Sequence, residues 1–273
     1  MNGTKRRSEH IREKVRERYA GIATSEKSGC GCSTPSCCAT KPPSAKAQSA
    51  KLGYSKKELE AVPDGANMGL GCGNPQAIAM LKKGEVVLDL GAGGGFDCFL
   101  AARQVGPRGR VIGVDMTAEM VAKARENARK AGIRNVEFRL GEIEHLPVAD
   151  ASVDVILSNC VINLSPDKDQ VYREAYRVLK PGGRLAISDV VAIKPIPKTV
   201  KNDFEKHSGC IAGALPVRKL ERILQTAGFR GGGVKVKEES KGFIKDWFPG
   251  SGVERYVRSA DVQGVKPGKA GAR

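Results

Sequence analysis

The chain has 273 residues, 40% of them hydrophobic, which suits one core domain of ordinary size with additions. No apolar run approaches the roughly 20 residues of a transmembrane helix, and residues 1–20 lack the apolar core of a secretory signal. The net charge of +16 is dispersed and not interleaved with aromatic residues, so we expect no nucleic-acid and no membrane partner. We predict a cytoplasmic protein, in which the eight cysteines are thiols rather than disulfides.

The first 50 residues predict a helix followed by a flexible, cysteine-rich arm. Residues 9–20 carry apolar side chains at helical spacing among charged ones. Residues 25–50 are mostly Ser, Gly, Cys, Pro, Ala and Lys without periodicity, which is typical of a loop or disordered linker. The cysteines there have C-x-C and C-C spacings rather than paired C-x₂-C spacings, which disfavours a structural zinc site.

Strands alternate with helices over residues 51–238, which we assign to one domain. It begins with a short helix at 55–61, marked by a Ser55–Glu58 capping box, then a glycine-rich loop at 62–74 and a helix at 75–83. The predicted strands are 85–90, 110–114, 135–140, 153–159, 183–190 and 233–238. The predicted helices are 96–105, 117–131, 168–179 and 216–227. This alternation predicts an α/β fold, a mostly parallel sheet with helices on both faces, and residues 239–273 predict a small C-terminal element.

Residues 86–97, VVLDLGAGGGFD, predict a strand, a tight glycine turn and the start of a helix. Glycines at 91, 93 and 95 allow a sharp turn and let a ligand lie against main-chain N–H groups. Asp115 ends the next apolar run, 20 residues after Gly95, where a carboxylate suits the two hydroxyls of a ribose. We therefore predict a nucleoside-type cofactor.

The spacing G-x-G-x-G differs from the G-x-G-x-x-G of dinucleotide sites. Asp89, at the carboxyl end of its strand, would repel a pyrophosphate and attract the amino group of an amino-acid-bearing cofactor. Two further buried strand patterns follow, VDVILSNCVINL (153–164) and VLKPGGRLAISD (178–189). Over roughly residues 65–235 the chain resembles the class I S-adenosylmethionine-dependent methyltransferases, which implies a Rossmann-like fold and S-adenosylmethionine as cofactor.

Three cysteines are placed to meet at the ligand-binding edge of such a sheet. Cys160 follows Asn159 at the end of a predicted strand, Cys210 comes after the next strand, and Cys72 lies in a glycine-flanked loop. In open α/β sheets, ligands bind outside the carboxyl ends of the strands. A cluster of thiolates binds soft ions, and trivalent arsenic takes three sulfur ligands while keeping a lone pair free to attack a sulfonium methyl. Cys98, within the predicted helix, is expected to fill the core.

The cysteines and their flanks resemble the bacterial and archaeal arsenite methyltransferases. The segments that carry this resemblance are GLGCGNP, DLGAGGGFDCFLAA, GEIEHLPV, SNCVINLSPDK and HSGCIAGAL. It implies that Cys160 and Cys210 hold arsenic throughout, and that Cys72 takes part in first capture and in disulfide chemistry. The N-terminal cysteine of that family corresponds to either Cys37 or Cys38, and the resemblance does not decide between these two.

The resemblance also implies a set of cofactor-binding residues: Asp89, Gly91 and Gly93 around the methionine end, with Ala92 and Gly95 of the same turn, Asp115 at the ribose, Met116, Glu142 and Ile143 around the adenine, and Asn159 through its main chain. Methyl transfer oxidises arsenic, so a thiol reductant such as thioredoxin or glutathione is implied as a partner. Two alternatives stay open: a methyltransferase for a small organic acceptor of the quinone or sterol type, and a thiolate protein that binds metalloid without chemistry.

Overall fold

A computed structural model describes residues 3–25, 44–201 and 210–268 of the chain. The N-terminal cysteines, which include Cys37 and Cys38, lie outside the described residues. None of the described helices is long and apolar enough to span a membrane.

The strands run β1 Val86–Leu90, β2 Arg110–Asp115, β3 Val136–Leu140, β4 Val153–Asn159, β5 Leu179–Ala192, β6 Leu215–Pro216, β7 Arg230–Lys237 and β8 Val257–Val265. The described helices are α1 Gly3–Thr24, α2 Ala45–Lys51, α3 Lys56–Glu60, α4 Gln76–Ala79, α5 Phe96–Val105, α6 Ala118–Lys130, α7 Lys168–Val178, α8 Lys198–Lys201, α9 Val217–Ala227 and α10 Lys241–Ile244. The six predicted strands and four predicted long helices are all present, with ends shifted by a few residues.

The strands form one twisted sheet in the order β3-β2-β1-β4-β5-β8-β7, with β6 added beside β5. The pairs from β3 through β5 are parallel, whereas β8 runs antiparallel to both β5 and β7. Alternate side chains of β1 bury on opposite faces, as a strand period of two requires. Leu88 belongs to the core under α7 and α9, and Val87 to the core under α5 and α6. The predicted class, a mostly parallel sheet covered on both faces, is confirmed.

Local signals explain where several helices begin and end. The Ser55–Glu58 capping box forms as predicted at the start of α3. Gly228 ends α9 at a φ of +105°, and a Cβ there would lie 2.7 Å from the ring of Tyr176. Position 228 therefore favours glycine on two counts, backbone conformation and space.

Two predictions about the termini differ from the structure. The unstructured linker expected over 25–50 contains α2, which Ser44 caps by accepting a hydrogen bond from the N–H of Ala47 at 3.3 Å. Residues 239–273 were expected to form an appended element, but residues 257–265 form β8, inside the main sheet. Its Arg258, Ser259 and Asp261 obscure the apolar pattern, because the polar side chain of each is buried with a polar partner.

Candidate active site

Two glycines of the turn between β1 and α5, Gly91 and Gly95, have no room for a side chain. Gly91 and Gly95 have φ of +71° and +92°, a region that most side chains avoid. A Cβ on Gly91 would overlap Val161, and one on Gly95 would lie 2.7 Å from the ring of Phe99. Because Val161 follows Cys160, this turn packs directly against the loop that carries a candidate thiol.

Two buried carboxylates, Asp89 and Asp97, face the cavity beside this turn. Asp89 accepts a hydrogen bond from the thiol of Cys98 at 3.2 Å, and Asp97 accepts one from the Tyr54 hydroxyl at 2.8 Å. Burial first, and then the negative charge of Asp97, raises the pKa of Asp89. No ion pair among the described residues includes either carboxylate, so this pocket suits a cationic group such as an ammonium.

Asp115 lies at the end of β2, as the sequence predicted. Its two carboxylate oxygens accept hydrogen bonds from the N–H groups of Gly93 and Thr117, both at 2.9 Å. These bonds tie the carboxylate to the glycine turn and still leave oxygen lone pairs free for ligand hydroxyls. Met116 and Ile143 line the same cavity next to Asp115.

Two predicted cofactor residues lie elsewhere. Glu142 does not line the cavity and instead forms ion pairs of 3.4 Å with Arg12 and Arg16 of α1. Gly95 shapes the turn from behind, and the neighbouring Gly94 lines the cavity in its place. The acidic residue that does line it is Glu144, which pairs with Arg12 at 3.3 Å.

The three predicted thiols Cys72, Cys160 and Cys210 lie together at the carboxyl edge of the sheet. All three are buried in one cluster, and the sulfur atoms of Cys72 and Cys160 lie within 4.8 Å of each other. The Cys210 thiol also donates to the carbonyl of Cys160 at 2.6 Å. Cys160 is therefore the shared centre of the cluster.

The backbone at two of these cysteines is unusual. Cys160 and Cys210 have φ of +60° and +64°, a left-handed conformation that is uncommon for residues other than glycine. The N–H of Cys160 donates to the carbonyl of Ser188 on β5 at 2.8 Å, which fixes the first residue after β4. Such strained positions persist where the surrounding structure holds them, and they cluster at functional sites.

Asn159 connects the thiol cluster to the carboxylate pocket. Its Oδ1 accepts a hydrogen bond from the N–H of Cys72 at 3.0 Å, while its Nδ2 donates to the carbonyl of Gly73 at 2.9 Å. The same Nδ2 lies 3.4 Å from Asp97. The sequence predicted a role for the main chain of Asn159, but here its side chain holds the Cys72 loop in place.

The surroundings of Cys72 and Cys160 keep these two thiols in their protonated form. The pKa of Cys72 is raised to about 11, chiefly by desolvation. Hydrogen bonds with Cys210 and Cys72, followed by burial, raise the pKa of Cys160 well above its ordinary value. Deprotonation therefore requires a ligand that replaces the proton, as a soft ion does when it binds sulfur.

One cavity of about 1190 Å³ joins the glycine turn, the carboxylates and the thiols Cys160 and Cys210. Its other walls come from α1, α2, the loop at 65–71 and the segment around Trp247. Cys72 lies just behind the wall, fully buried.

Sequence reasoning missed three polar residues of this region: Tyr54, Asp97 and Asp189. Asp189 had a readable signal, because it lies on β5 in the buried pattern LAISD as Asp89 does on β1. Asp97 also had one, since it is a carboxylate in an otherwise apolar stretch directly after the glycine turn. Tyr54 lies far from the motifs along the chain and had none.

Comparisons with known proteins agree with this geometry. A family model described as a methyltransferase domain matches residues 81–228. An arsenite methyltransferase from Halobacterium salinarum is 51% identical over 267 residues, which cover 96% of this chain and 68% of that protein. One from Aquipseudomonas alcaligenes is 48% identical over 166 residues, 58% of this chain and 47% of that protein. The chain thus spans about half to two thirds of the length of these relatives.

Solved structures show the same fold. The crystal structure of an arsenic(III) S-adenosylmethionine methyltransferase from Chlamydomonas reinhardtii matches with a TM-score of 0.58 and 33% identity, covering 85% of this chain and 76% of that one. A phosphoethanolamine N-methyltransferase from Haemonchus contortus, solved with S-adenosylmethionine, matches with a TM-score of 0.59 at 22% identity, over 73% of this chain and 54% of that one. At that identity the second match shows the fold alone.

Proposed function

Because this chain belongs to the arsenite methyltransferase family of class I methyltransferases, we propose that it methylates trivalent arsenic held by Cys72, Cys160 and Cys210. The observation that carries the proposal is that three buried cysteines from three separate segments lie in one cluster next to the glycine turn. Organic acceptors of the quinone or sterol type gain nothing from such a cluster, whereas a soft trivalent centre needs it.

Arsenite binds by exchanging its three hydroxyl groups for thiolates. Each thiol gives up a proton, each hydroxyl leaves as water, and three arsenic–sulfur bonds form. The raised pKa values of Cys72 and Cys160 favour their uncharged thiols before binding, so their proton loss accompanies arsenic–sulfur bond formation. Cys160, whose sulfur lies near that of Cys72 and whose carbonyl accepts from the Cys210 thiol, would be the central ligand. Cys210 would be retained through later steps, and Cys72 would be needed for first capture.

The cofactor fits the residues on the other side of the cavity. Asp89 and Asp97 would receive the ammonium group, Asp115 the ribose hydroxyls, and Gly91 and Gly93 would let the main chain approach. When bound, S-adenosylmethionine supplies an electrophilic sulfonium methyl group. The remaining cofactor residues would be Ala92 against the methionine end, with Met116 and Ile143 against the adenine.

No general base is required for the transfer, since the arsenic lone pair is the nucleophile. The thiolates orient that lone pair toward the cofactor side of the cavity, and such orientation removes much of the entropic barrier. Asn159 supports this by fixing the Cys72 loop to the residues around Asp97.

Methyl transfer raises arsenic from the trivalent to the pentavalent state. Two thiols return the electron pair by closing a disulfide, which an external thiol reductant of the thioredoxin or glutathione type must reopen. We assign the reaction to the reducing cytoplasm, in the service of arsenic detoxification, with Cys37 or Cys38 as a further participant.

The decisive experiment incubates the full chain with arsenite, S-adenosylmethionine and excess thiol reductant. We expect methylated arsenicals and S-adenosylhomocysteine to form in matching amounts. Cys98→Ser is the matched control, because Cys98 is a buried thiol outside the cluster and a serine hydroxyl can still donate to Asp89 as that thiol does. Binding of arsenite without any methylated product would overturn the proposal, and would indicate a protein that binds metalloid through its thiolates without chemistry.

A further inference from the structure

One buried carboxylate next to the thiols has no role in the arsenic chemistry. An oxygen of Asp189, at the carboxyl side of β5, lies within 4.8 Å of the sulfurs of both Cys72 and Cys160, which are themselves within 4.8 Å of each other. Cys210 is not part of this triad. The thiol cluster thus overlaps a second set of three ligand atoms, two sulfurs and one oxygen.

Asp189 is held firmly in that position. Its Oδ1 accepts a hydrogen bond from the N–H of the next residue, Val190, at 2.7 Å. Its Oδ2 accepts one from the N–H of Asn163 at 3.2 Å. It is only 4% exposed, so it cannot turn out into solvent. Each oxygen keeps a lone pair for another partner.

The triad has the chemistry and spacing of a zinc-class site. Zn²⁺ takes mixed thiolate and carboxylate ligands at about 2.3 Å and 2.0–2.2 Å, usually in a tetrahedron, which puts the ligand atoms about 3.5 to 4 Å apart. The observed upper limit of 4.8 Å requires only small side-chain shifts. Trivalent arsenic, by contrast, is satisfied by sulfur alone and has no use for Asp189.

Nearby lysines balance the charge of such a site. Two thiolates and a carboxylate carry three negative charges, one more than a divalent ion neutralises. Lys168 and Lys237 are the cations whose charge acts on Asp189 and Cys72. Both side chains donate to or pair with groups around the cluster rather than with the triad itself.

We propose that Cys72, Cys160 and Asp189 form a binding site for a divalent cation of the Zn²⁺ class, and that this cation and trivalent arsenic exclude one another because both require Cys160. Binding releases the two thiol protons, forms two metal–sulfur bonds and one metal–oxygen bond, and changes no oxidation state. The metal site stands on the geometry alone, whereas the competition rests on the proposed function. Zinc-class ions would therefore inhibit the enzyme by occupying its thiols.

The test uses Co²⁺ as a spectroscopic substitute for Zn²⁺, with full-length reduced protein. The four N-terminal cysteines Cys30, Cys32, Cys37 and Cys38 are replaced by serine so that only the inner thiols report. The sulfur-to-cobalt charge-transfer absorbance counts the thiolates, and the intensity of the d–d bands reports tetrahedral geometry. We expect one Co²⁺ per chain, two thiolates and about two protons released, with arsenite displacing the cobalt.

Two variants separate the metal site from the arsenic site. Asp189→Asn should lower Co²⁺ affinity by at least the roughly 10- to 100-fold that loss of a partner outside a ligand set already costs, and leave arsenite affinity unchanged. Cys210→Ser should do the reverse, weakening arsenite and sparing Co²⁺. Cys98→Ser should change neither, and circular dichroism checks that each variant is folded.

The outcomes are distinguishable. Three thiolates on cobalt in the protein with Asp189 intact would overturn the metal site, and this measurement does not depend on whether an Asp189 variant folds. A folded Asp189→Asn variant with unchanged Co²⁺ affinity would overturn it as well. Failure of arsenite to bind or react, with the Co²⁺ results as expected, would instead remove the proposed function and leave the metal site standing.

Discussion

The two halves of the cavity are built in opposite ways. The cofactor half is contiguous: Asp89, the glycine turn and Asp97 fall within nine residues of one strand–turn–helix unit. The thiol half is assembled from three distant segments, with Cys160 and Cys210 alone 50 positions apart. In the first half glycines adopt the positive φ values, and in the second half cysteines do. A cofactor cradle can thus form locally, while the thiol cluster depends on the finished sheet.

Substitution of Cys160 or Cys210, the two thiols proposed to hold arsenic through every step, should separate arsenic methylation from cofactor binding most strongly. We expect Cys160→Ser and Cys210→Ser each to reduce methylation of all trivalent arsenic species to background, because a hydroxyl is a poor ligand for a soft centre. Affinity for S-adenosylmethionine, measured by calorimetry, should be unchanged. A variant that still methylates methylarsenite at a comparable rate would show that its cysteine is not an inner ligand.

Asp89→Ala should have the opposite effect, weakening cofactor binding while arsenite binding is kept. Removing one partner of a buried ion pair costs about 3 kcal/mol or more, so cofactor affinity should fall on the order of 100-fold. Arsenite binding, followed by proton release or thiol titration, should persist. Asp64→Ala, in an exposed loop, is the control carboxylate. Equal loss of both ligands in Asp89→Ala would mean that the halves do not fold independently.

Cys72→Ser should affect the methylation of two arsenic substrates differently, rather than separate cofactor binding from arsenic binding. We expect methylation of inorganic arsenite to be lost, because its capture uses three thiols. Methylarsenite already carries one carbon and needs only two, so its methylation should continue through Cys160 and Cys210. Rates with each arsenical, at fixed excess reductant, provide the measurement, and loss of both activities would place Cys72 in every step.

Asn159→Ala tests the link between the halves. The Asn159 side chain accepts a hydrogen bond from the N–H of Cys72 and donates one to Asp97. Cofactor binding and arsenite methylation should therefore weaken together in this variant. Each lost hydrogen bond to a buried group costs about 1–3 kcal/mol, which predicts a roughly 10-fold loss in cofactor affinity and in arsenite methylation. A change in only one of the two would assign Asn159 to that half alone.

The smallest expected effect is on stability, and it concerns the cysteine backbone. At Cys210, with its φ of +64°, glycine should be more stable than alanine by about 1 kcal/mol, because the left-handed conformation penalises a Cβ. At Cys98, inside α5, alanine should be the more stable by a similar amount. Denaturant unfolding of the four variants, Cys210→Gly, Cys210→Ala, Cys98→Gly and Cys98→Ala, checks this crossover.

Sequence patterns predicted what depends on neighbouring residues. The α/β alternation, the glycine turn and Asp115 were readable because strand period, turn residues and helix starts are local. The meeting of three thiols followed from one general rule about strand ends, and the structure places Cys72, Cys160 and Cys210 in one buried cluster. Tyr54 and the side-chain role of Asn159 were not readable, because both act through contacts between distant segments.

β8 was the principal error in the fold, for a physical reason. A central strand normally reads as an apolar run, but Arg258, Ser259 and Asp261 occupy buried positions in it. The side chain of each is satisfied by a partner outside the strand: Arg258 by Glu238, Ser259 by the carbonyl of Cys72 and Asp261 by Lys237. Periodicity alone cannot anticipate a strand whose polar groups are neutralised by such distant partners.

The central position of β8 ties the thiols to the order in which the chain is synthesised. Ser259 of β8 donates a hydrogen bond to the carbonyl of Cys72 at 2.6 Å, and β8 alone joins β7 to β5. While a ribosome is still adding residues before position 257, the glycine turn has all of its local partners, but the Cys72 loop lacks this anchor. Since we propose that Cys72 is needed for the first capture of arsenite, a nascent chain would complete its cofactor-binding turn before its three-thiol site.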